Sequence, residues 1–589
     1  MSAIVEAPVD IIRAEIIKNA LQSAALEMNK TLIRSAYNPL IFDVKDFGVG
    51  IASATGELWS DAPGLPVFTG VLPASFRTGI AKHGPEGFKE GDILVVNSPY
   101  ENGTHISDTA VYMPVFFEGE LVSFTGAMAH WADVGGMSPG GWTVDSTSIY
   151  QEGIRFTHQR LFNAGEPNHD ILDLIKENMR VSDIVMGDVY AMIATCRTGA
   201  ERVQTLCRKY GAQEVKEVMA YILEQTQNAL RRELEALPDV VRQASVRLDF
   251  DGVDRAYEPV LSVQTRVQGD RLIVSFEGTS GVASGPINAG ADATAAAVSQ
   301  AAKGLLDPIG PANQAHLDIV EFEWPEQPSI LSAVAPAPCD SYGYVLTALT
   351  EIIQHSFADL APERARAGGY QMVSTYVMSS PKAEQSESYL FAEPVQGGLG
   401  AFEGHDGACQ MFAADGDASN TPIEVIEMRY PILVDQFSLR TDSAGAGQYR
   451  GGMGVRRHLR VLAENSLVKT ASENHEDPIS RGANGGSDGK PSHFEFILPS
   501  GEVEVHPERT SDAPIAVGSV VCTLTGGGGG YGDPIRRAPI AVASDARDEY
   551  ITVEEAASVY RVALVPAEVP GGYDVDESAT AALRASAGV

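Results

Sequence analysis

The stretch Asn102-Gly-Thr-His-Ile-Ser-Asp-Thr-Ala-Val-Tyr-Met-Pro-Val-Phe-Phe-Glu-Gly-Glu-Leu-Val-Ser-Phe-Thr-Gly-Ala-Met-Ala-His-Trp-Ala-Asp133 decides how this chain is read. Two runs rich in β-branched and aromatic residues, Thr109–Phe117 and Leu121–Ala127, flank the dipeptide Glu118-Gly119, which fits a tight hairpin turn. In an antiparallel pair, residues equidistant from the turn face each other about 5 Å apart. Counting outward from 118.5 sets His130 opposite position 107, between His105 and Asp108. Two imidazoles and a carboxylate therefore converge at one end of one hairpin.

Imidazole nitrogen and carboxylate oxygen together suit a divalent ion, zinc first, at about 2.0–2.2 Å, with manganese or iron as alternatives. A fourth ligand must come from elsewhere. Asp46, in Phe42-Asp-Val-Lys-Asp-Phe-Gly48, leads a neighbouring β segment and is the candidate, with Asp43 and Asp133 as alternates. Histidines near strand ends also serve as hydrogen-bonded structural residues. The glycines beside both motifs, Gly103, Gly135 and Gly136, favour the metal, because glycine lets backbone approach a ligand closely.

Working outward, Pro8 and Asp10 open a first helix, in which Ile12, Ile16, Ala20, Ala24, Met28 and Leu32 form an apolar stripe ending near Ala36. Short β-like runs follow, Phe47–Ala52 and Asp92–Val96 among them. Between Asp170 and Leu237 helical periodicity predicts three or four helices, broken only by Gly187, Gly199 and Gly211. Strands are expected at Ser245–Phe250 and Arg271–Phe276, helices at Ala289–Leu306 and Ser341–Leu360. Beyond Leu390 glycine dominates, with a hairpin of Phe494–Leu498 and Val503–His506 and a short helix at Val553–Tyr560. The fold class is α+β. It divides into an N-terminal helix plus β-rich metal-site region (1–169), a helical segment (170–238), a mixed α+β region (239–390), a β-rich glycine-rich domain (391–545) and an acidic tail (546–589).

Composition narrows the function. The 43 Lys and Arg against 78 Asp and Glu give a net charge of −35, which repels a phosphate backbone and argues against nucleic-acid binding. No run approaches the roughly 20 apolar residues of a membrane span, and the first residues lack the basic lead and apolar block of an export signal. Five scattered cysteines without a Cys-x-x-Cys read as free thiols of a cytoplasmic protein. Other features carry less chemistry. Gly526–Gly530 and Gly485–Lys490 lack the phosphate-loop pattern and read as structural turns. Arg450, Arg456, Arg457 and Arg460 form a local basic patch, with Glu424 and Glu427 as ion-pair partners rather than an acid–base pair. Cys409 has only His405 beside it.

Gly-Thr-His-Ile-Ser-Asp (103–108), His-Trp-Ala-Asp-Val-Gly-Gly (130–136), Asp-Ser-Ala-Gly-Ala-Gly-Gln-Tyr-Arg-Gly-Gly-Met-Gly (442–454) and Gly-Gly-Gly-Gly-Tyr-Gly-Asp-Pro (527–534) together resemble the hydantoinase B family. That family includes the second subunits of ATP-dependent hydantoinases and caprolactamase, the corresponding half of 5-oxoprolinase and the large subunits of acetone and acetophenone carboxylases. The resemblance implies a metal site of His105, Asp108, His130 and Asp46. Asp43 stays an alternative, because Tyr37-Asn-Pro-Leu-Ile-Phe42 departs from the family's usual Asn-Ile-Lys-Glu-Arg segment. It further implies that ATP and Mg²⁺ bind a separate actin-like hydantoinase A type ATPase, in a heterodimer or a multiple of it such as a heterotetramer. The implied activity opens a cyclic amide after phosphorylation of its carbonyl, with His105, Asp108, His130 and Asp133 as the catalytic group and Asp133 orienting His130. A ketone carboxylase is the second reading and a non-catalytic scaffold subunit the third.

Overall fold

Asp10 accepts the amides of Ile12 and Arg13 and so starts the first helix, Ile11–Ser35. Its buried face runs through Ala14, Ile17, Leu21, Ala24, Ala25, Met28 and Leu32. This corrects the expected stripe. A strict step of four drifts around a helix of 3.6 residues per turn, so Ile12 and Ile16 face outward, 75% and 48% exposed. The computed structural model describes residues 9–357, 366–370, 374–381, 388–412, 418–472, 480–506 and 509–586.

The first helix and the long helix Ser182–Tyr210 cover one face of a seven-stranded antiparallel sheet. Its strands run in the order Leu58–Asp61, Phe47–Ser53, Glu120–His130, Asp108–Phe117, Ile93–Val96, Thr157–Asn163 and Glu166–Pro167. Alternation assigns the two faces: Ile93, Val95 and Val111 pack under these helices, whereas Leu94, Val96 and Tyr112 join the core on the other side. The helical stretch after Asp170 is three helices, His169–Asn178, Ser182–Tyr210 and Ala212–Glu235. It breaks at residues 179–181 and at Gly211, so only one of the three glycines marks a break. Gly187 and Gly199 lie inside one helix, where a Cβ would fall 2.4 Å from the ring of Tyr37 and from Met28 Sδ respectively. They are contact points for neighbouring chain, not helix stops.

On the opposite face lies the helix Pro66–His83, which sequence periodicity did not single out because Gly70, Pro73 and Gly79 interrupt it. Gly70 and Gly79 permit contact with Ala296 and Tyr112, from which a Cβ would sit 2.7 and 2.1 Å away. Helix Ala291–Leu306 packs against it, helix Tyr342–Phe357 packs on Ala291–Leu306, and the latter pair carries a four-stranded sheet in the order Val320–Glu323, Arg271–Ser275, Val260–Gln268 and Val240–Arg247. The last part of the expected Ser341–Leu360 helix, residues 358–360, lies outside the described residues. The architecture to this point is helices, sheet, helices, sheet.

The later half holds a four-stranded sheet (Tyr389–Val395, Ser374–Ser380, Ser466–Ala471, Thr510–Ile515) and a five-stranded one containing the expected hairpin as His493–Ile497 and Val503–His506. An apolar core joins them. The whole is α+β.

The run Gly526–Gly530 is neither a turn nor a phosphate loop. It is buried and extended, and its successive amides donate to Ser492 Oγ and to the carbonyls of Lys490, Gly452, Gly368 and Ser487. None of the five takes a left-handed φ. A Cβ on Gly527, Gly528, Gly529 or Gly530 would stand 2.0–2.2 Å from a neighbouring carbonyl oxygen, so glycine is required there for space. The second glycine motif does open on a turn, Asn484 and Gly485 at φ 49° and 95° with the Gly486 amide donating to Ala483, after which the amides of Ser487, Gly489 and Lys490 donate to carbonyls of other segments. Gly528→Ala, whose Cβ meets Leu399 O at 2.0 Å, is expected to destabilise by about 3 kcal/mol or more. Gly501→Ala, at φ +85° with open space around it, should cost only about 1 kcal/mol. Denaturant unfolding of the two variants checks the contrast.

Candidate metal centre

Glu118 and Gly119 both have positive φ, 50° and 83°, as a two-residue hairpin turn requires. Near the turn the pairing follows the expected count, Phe117 with Glu120 and Phe116 with Leu121. A bulge between Val115 and Phe116 then shifts the register by one, so His130 faces Asp108 itself rather than position 107. His105 arrives from the preceding loop. Gly103 turns that loop with φ 84°, passing so close to Ala293 that a Cβ would lie 2.2 Å from its amide nitrogen.

Three donor atoms converge. His105 Nε2 lies 2.8 Å from Asp108 Oδ1, His130 Nδ1 lies 3.0 Å from the same oxygen, and the two ring nitrogens are 3.1 Å apart. All three residues are buried, and this triad can hold a metal ion. His105 Nδ1 faces only acceptors, Asp340 Oδ1 at 2.8 Å and Asp340 O at 2.9 Å. It therefore carries the proton there and directs Nε2 at Asp108, the arrangement seen when a carboxylate orients a ligating imidazole. Asp340 is fixed in turn by Thr143 Oγ1 at 2.8 Å, and its amide donates to Glu152. The Tyr342 hydroxyl donates to Asp108 Oδ2 at 2.8 Å. Trp142, held at φ 48°, stacks on His130 at 4.4 Å and 21°. His130 Nε2 is buried with no hydrogen-bond partner among the described residues.

The electrostatics favour a cation. Burial alone would depress His105, yet the carboxylates of Asp108 and Asp340 on either side outweigh it and raise that imidazole well above its ordinary value. Burial would raise both carboxyls, but His105 overrides it and holds Asp108 and Asp340 low. Burial and the charge on His105 keep His130 low. Further out, burial and then the charge of Asp340 push Glu152 up to about 8. Two ionised carboxylates against one imidazolium leave negative charge in a buried site, and one orphaned ring nitrogen beside it. A divalent ion fits this donor set.

Asp46 lines the same cavity, of about 120 Å³, as His105, Asp108 and His130. Its carbonyl accepts the His130 amide at 3.1 Å. Asp43 does not line it. Burial raises the Asp43 carboxyl, opposed by the charge of Arg429. Asp133 is a correction. Its oxygens accept from the amides of Gly135 and Arg180 and from the Arg180 guanidinium at 2.9 Å, because the chain turns away once the strand ends at His130. The orienting carboxylate is Asp340 and the imidazole it orients is His105. Asp340, Tyr342 and Trp142 escaped the sequence reading. Asp340 stands 235 residues from His105 and looked like nothing more than the lead-in to a helix.

The remaining candidates separate. Arg457 is buried against Glu393 at 2.9 Å, Arg450 lies near Asp545 at 3.4 Å, and Arg460 pairs with Asp435, so the four do not form one basic face, although Arg456 and Arg460 share the half-exposed side of the strand Val455–Val461. Glu427 accepts the Val434 amide rather than an arginine. Cys409 Sγ accepts the Met453 amide, while His405 packs on Phe402. No helix among the described residues is long and apolar enough to cross a membrane.

Residues 10–534 match the family described as hydantoinase B/oxoprolinase, and the chain belongs to that family. It is 28% identical to the caprolactamase subunit beta of Pseudomonas jessenii over 98% of this chain and 99% of that one. The crystal structure of the ATP-dependent caprolactamase from Pseudomonas jessenii superposes with a TM-score of 0.89 at 26% identity, covering 98% of this chain and 100% of that chain. A nucleotide-free acetone carboxylase structure shares the fold, with a TM-score of 0.91 at 19% identity over 98% of this chain and 83% of that chain.

Asp340→Asn should lower affinity for a divalent ion ten- to a hundredfold, measured by calorimetric titration of the metal-stripped chain. A second expectation concerns Asp188, whose carboxylate accepts the Tyr37 and Asn38 amides while Asn38 donates to the His130 carbonyl. Burial raises Asp188 to about 7 from 3.8. The folded state then binds more protons than the unfolded between those values, so this carboxyl costs stability increasingly as pH rises through that window. The melting temperature of Asp188→Asn relative to the parent should therefore climb from pH 4 to pH 7 and level off above.

Proposed function

We propose that this chain is the metal-binding catalytic subunit of an ATP-dependent amidohydrolase that opens a small cyclic amide, a lactam, hydantoin or 5-oxoproline-like ring. The observation that carries the reading is the convergence of His105 Nε2, Asp108 Oδ1 and His130 Nδ1 on one point of a largely apolar cavity. His105, Asp108 and His130 would hold the metal, zinc being the first choice, with Asp46 as the fourth ligand. A divalent cation bound there would polarise a substrate oxygen and lower the pKa of water towards neutrality.

Amide resonance makes a ring carbonyl a poor electrophile. Phosphorylation of its oxygen, by ATP held on a partner ATPase subunit, removes that resonance. Water then adds to the carbon, the C–N bond breaks, and the ring nitrogen leaves as an amine with a proton. A second water releases phosphate from the resulting acyl phosphate. In this scheme Asp340 keeps the proton on His105 Nδ1, and Tyr342 fixes Asp108 Oδ2 so that Oδ1 points inward. Leu65, Val67, Phe68, Leu346 and Phe412 on the cavity wall shield the ring from bulk solvent. The name of the relative as a subunit beta supports a hetero-oligomer, and the partner in this reading is an actin-like ATPase. The test is to co-purify this chain with that ATPase and screen lactams and hydantoins for ADP release matched by ring-opened product. His105→Ala and His130→Ala should lose bound metal and turnover together, and full activity in metal-free His130→Ala would end the reading.

The shared acetone carboxylase fold favours a second reading, ketone carboxylation at the same site. Labelled bicarbonate separates them, since only carboxylation carries the label into product.

A further inference from the structure

Lys469 belongs to no chemistry described above. It lies on the strand Ser466–Ala471, 2% exposed, with no carboxylate in direct ion-pair contact among the described residues, while Asp512, Asp340 and Asp145 attract it from further off. Burying an ammonium with its nearest carboxylates out of contact is costly, and an apolar side chain would fill the space without that cost. Its partners are backbone carbonyls: Lys469 Nζ donates to Gly141 O and lies 3.4 Å from Pro139 O. Ala471, two residues along on the same face of the strand, lines the metal cavity.

The loop that Lys469 grips ends on one strained residue. Gly140, Gly141 and Trp142 follow one another with φ of 76°, 64° and 48°. The two glycines turn this way without cost, but a tryptophan at φ 48° persists only where its surroundings impose it. The sheet carrying Lys469 supplies part of that constraint, since Val377 and Leu390 close on Gly140, 3.2 and 2.9 Å from where a Cβ would stand. From this loop Trp142 stacks on His130, and Thr143 holds the carboxylate of Asp340 that orients His105. Both imidazoles thus take their orientation from one short segment.

We propose that Lys469 is a positioning residue, clamping the Pro139–Thr143 loop to the later sheet and through it fixing the two imidazoles of the metal group. The proposal rests on the reading that His105, Asp108 and His130 hold a divalent ion. The test loads the metal-stripped full-length chain with Co²⁺, and follows calorimetric affinity, the visible Co²⁺ spectrum and hydrogen exchange at residues 139–143. Lys469→Met should weaken Co²⁺ binding about tenfold or more, change the spectrum, and speed exchange in that loop at least as much while leaving Gly526–Gly530 unchanged. Lys469→Gln, which keeps a donor, should recover part of each loss, and it carries the comparison if the Met variant does not fold. Parental affinity, spectrum and exchange in both variants would overturn the proposal. If the parent chain itself takes up no Co²⁺, the metal reading falls, and unchanged loop exchange alone then defeats the role of Lys469.

Discussion

One carboxylate oxygen, Oδ1 of Asp108, receives ring nitrogens from two histidines, and the rest of the structure follows from keeping those three atoms together out of water. Burying charge costs several kcal/mol per ion unless partners are fixed in good geometry. Here they are fixed by covalent connection on one side and by distant chain on the other. Asp108 and His130 cannot drift apart because the sheet pairs them. His105 cannot rotate because Asp340 occupies its other nitrogen. Metal loading would release the proton between His105 and Asp108, so uptake of the ion is coupled to proton release.

The site is a joint product of both halves. The seven-stranded sheet supplies the three converging groups, the start of the helix Tyr342–Phe357 supplies Tyr342, and the later half closes the cavity with Thr375, Pro394, Phe412 and Ala471. This division suits a family in which related sites act on different substrates. The donor group lies on a rigid hairpin, while the lining drawn from the later half can vary without disturbing it.

Much of this was legible in the chain because the hairpin is local. Alternating residues around Glu118-Gly119 suffice to set His130 beside Asp108 within one position, and the missing position is a bulge that no periodicity announces. The motifs that resemble hydantoinase B lie within the matched family region, and the α+β class followed from the switch between helical and strand periods. What could not be read was long-range. Asp340 and Lys469 reach the site from more than two hundred residues away, and nothing in Cys339-Asp340-Ser341 distinguishes a histidine-orienting carboxylate from a helix lead. The helix Pro66–His83 was hidden by glycines and a proline that tertiary contact tolerates, and Gly526–Gly530 looked like a turn because spacing glycines and turning glycines are alike in sequence.

That glycine bundle has a consequence for how the molecule comes to exist. Its central run joins segments from Gly368 to Gly530, so the bundle gains nothing until chain ends far apart in sequence have met. Structures built on such distant pairings order slowly, since the entropy of closing long loops is spent before contact energy returns it. The N-terminal hairpin closes through a two-residue turn and waits for no such distant meeting. The wall opposite it arrives only when the last third of the chain has been made, and an ion meeting the nascent hairpin would find its donors open to solvent.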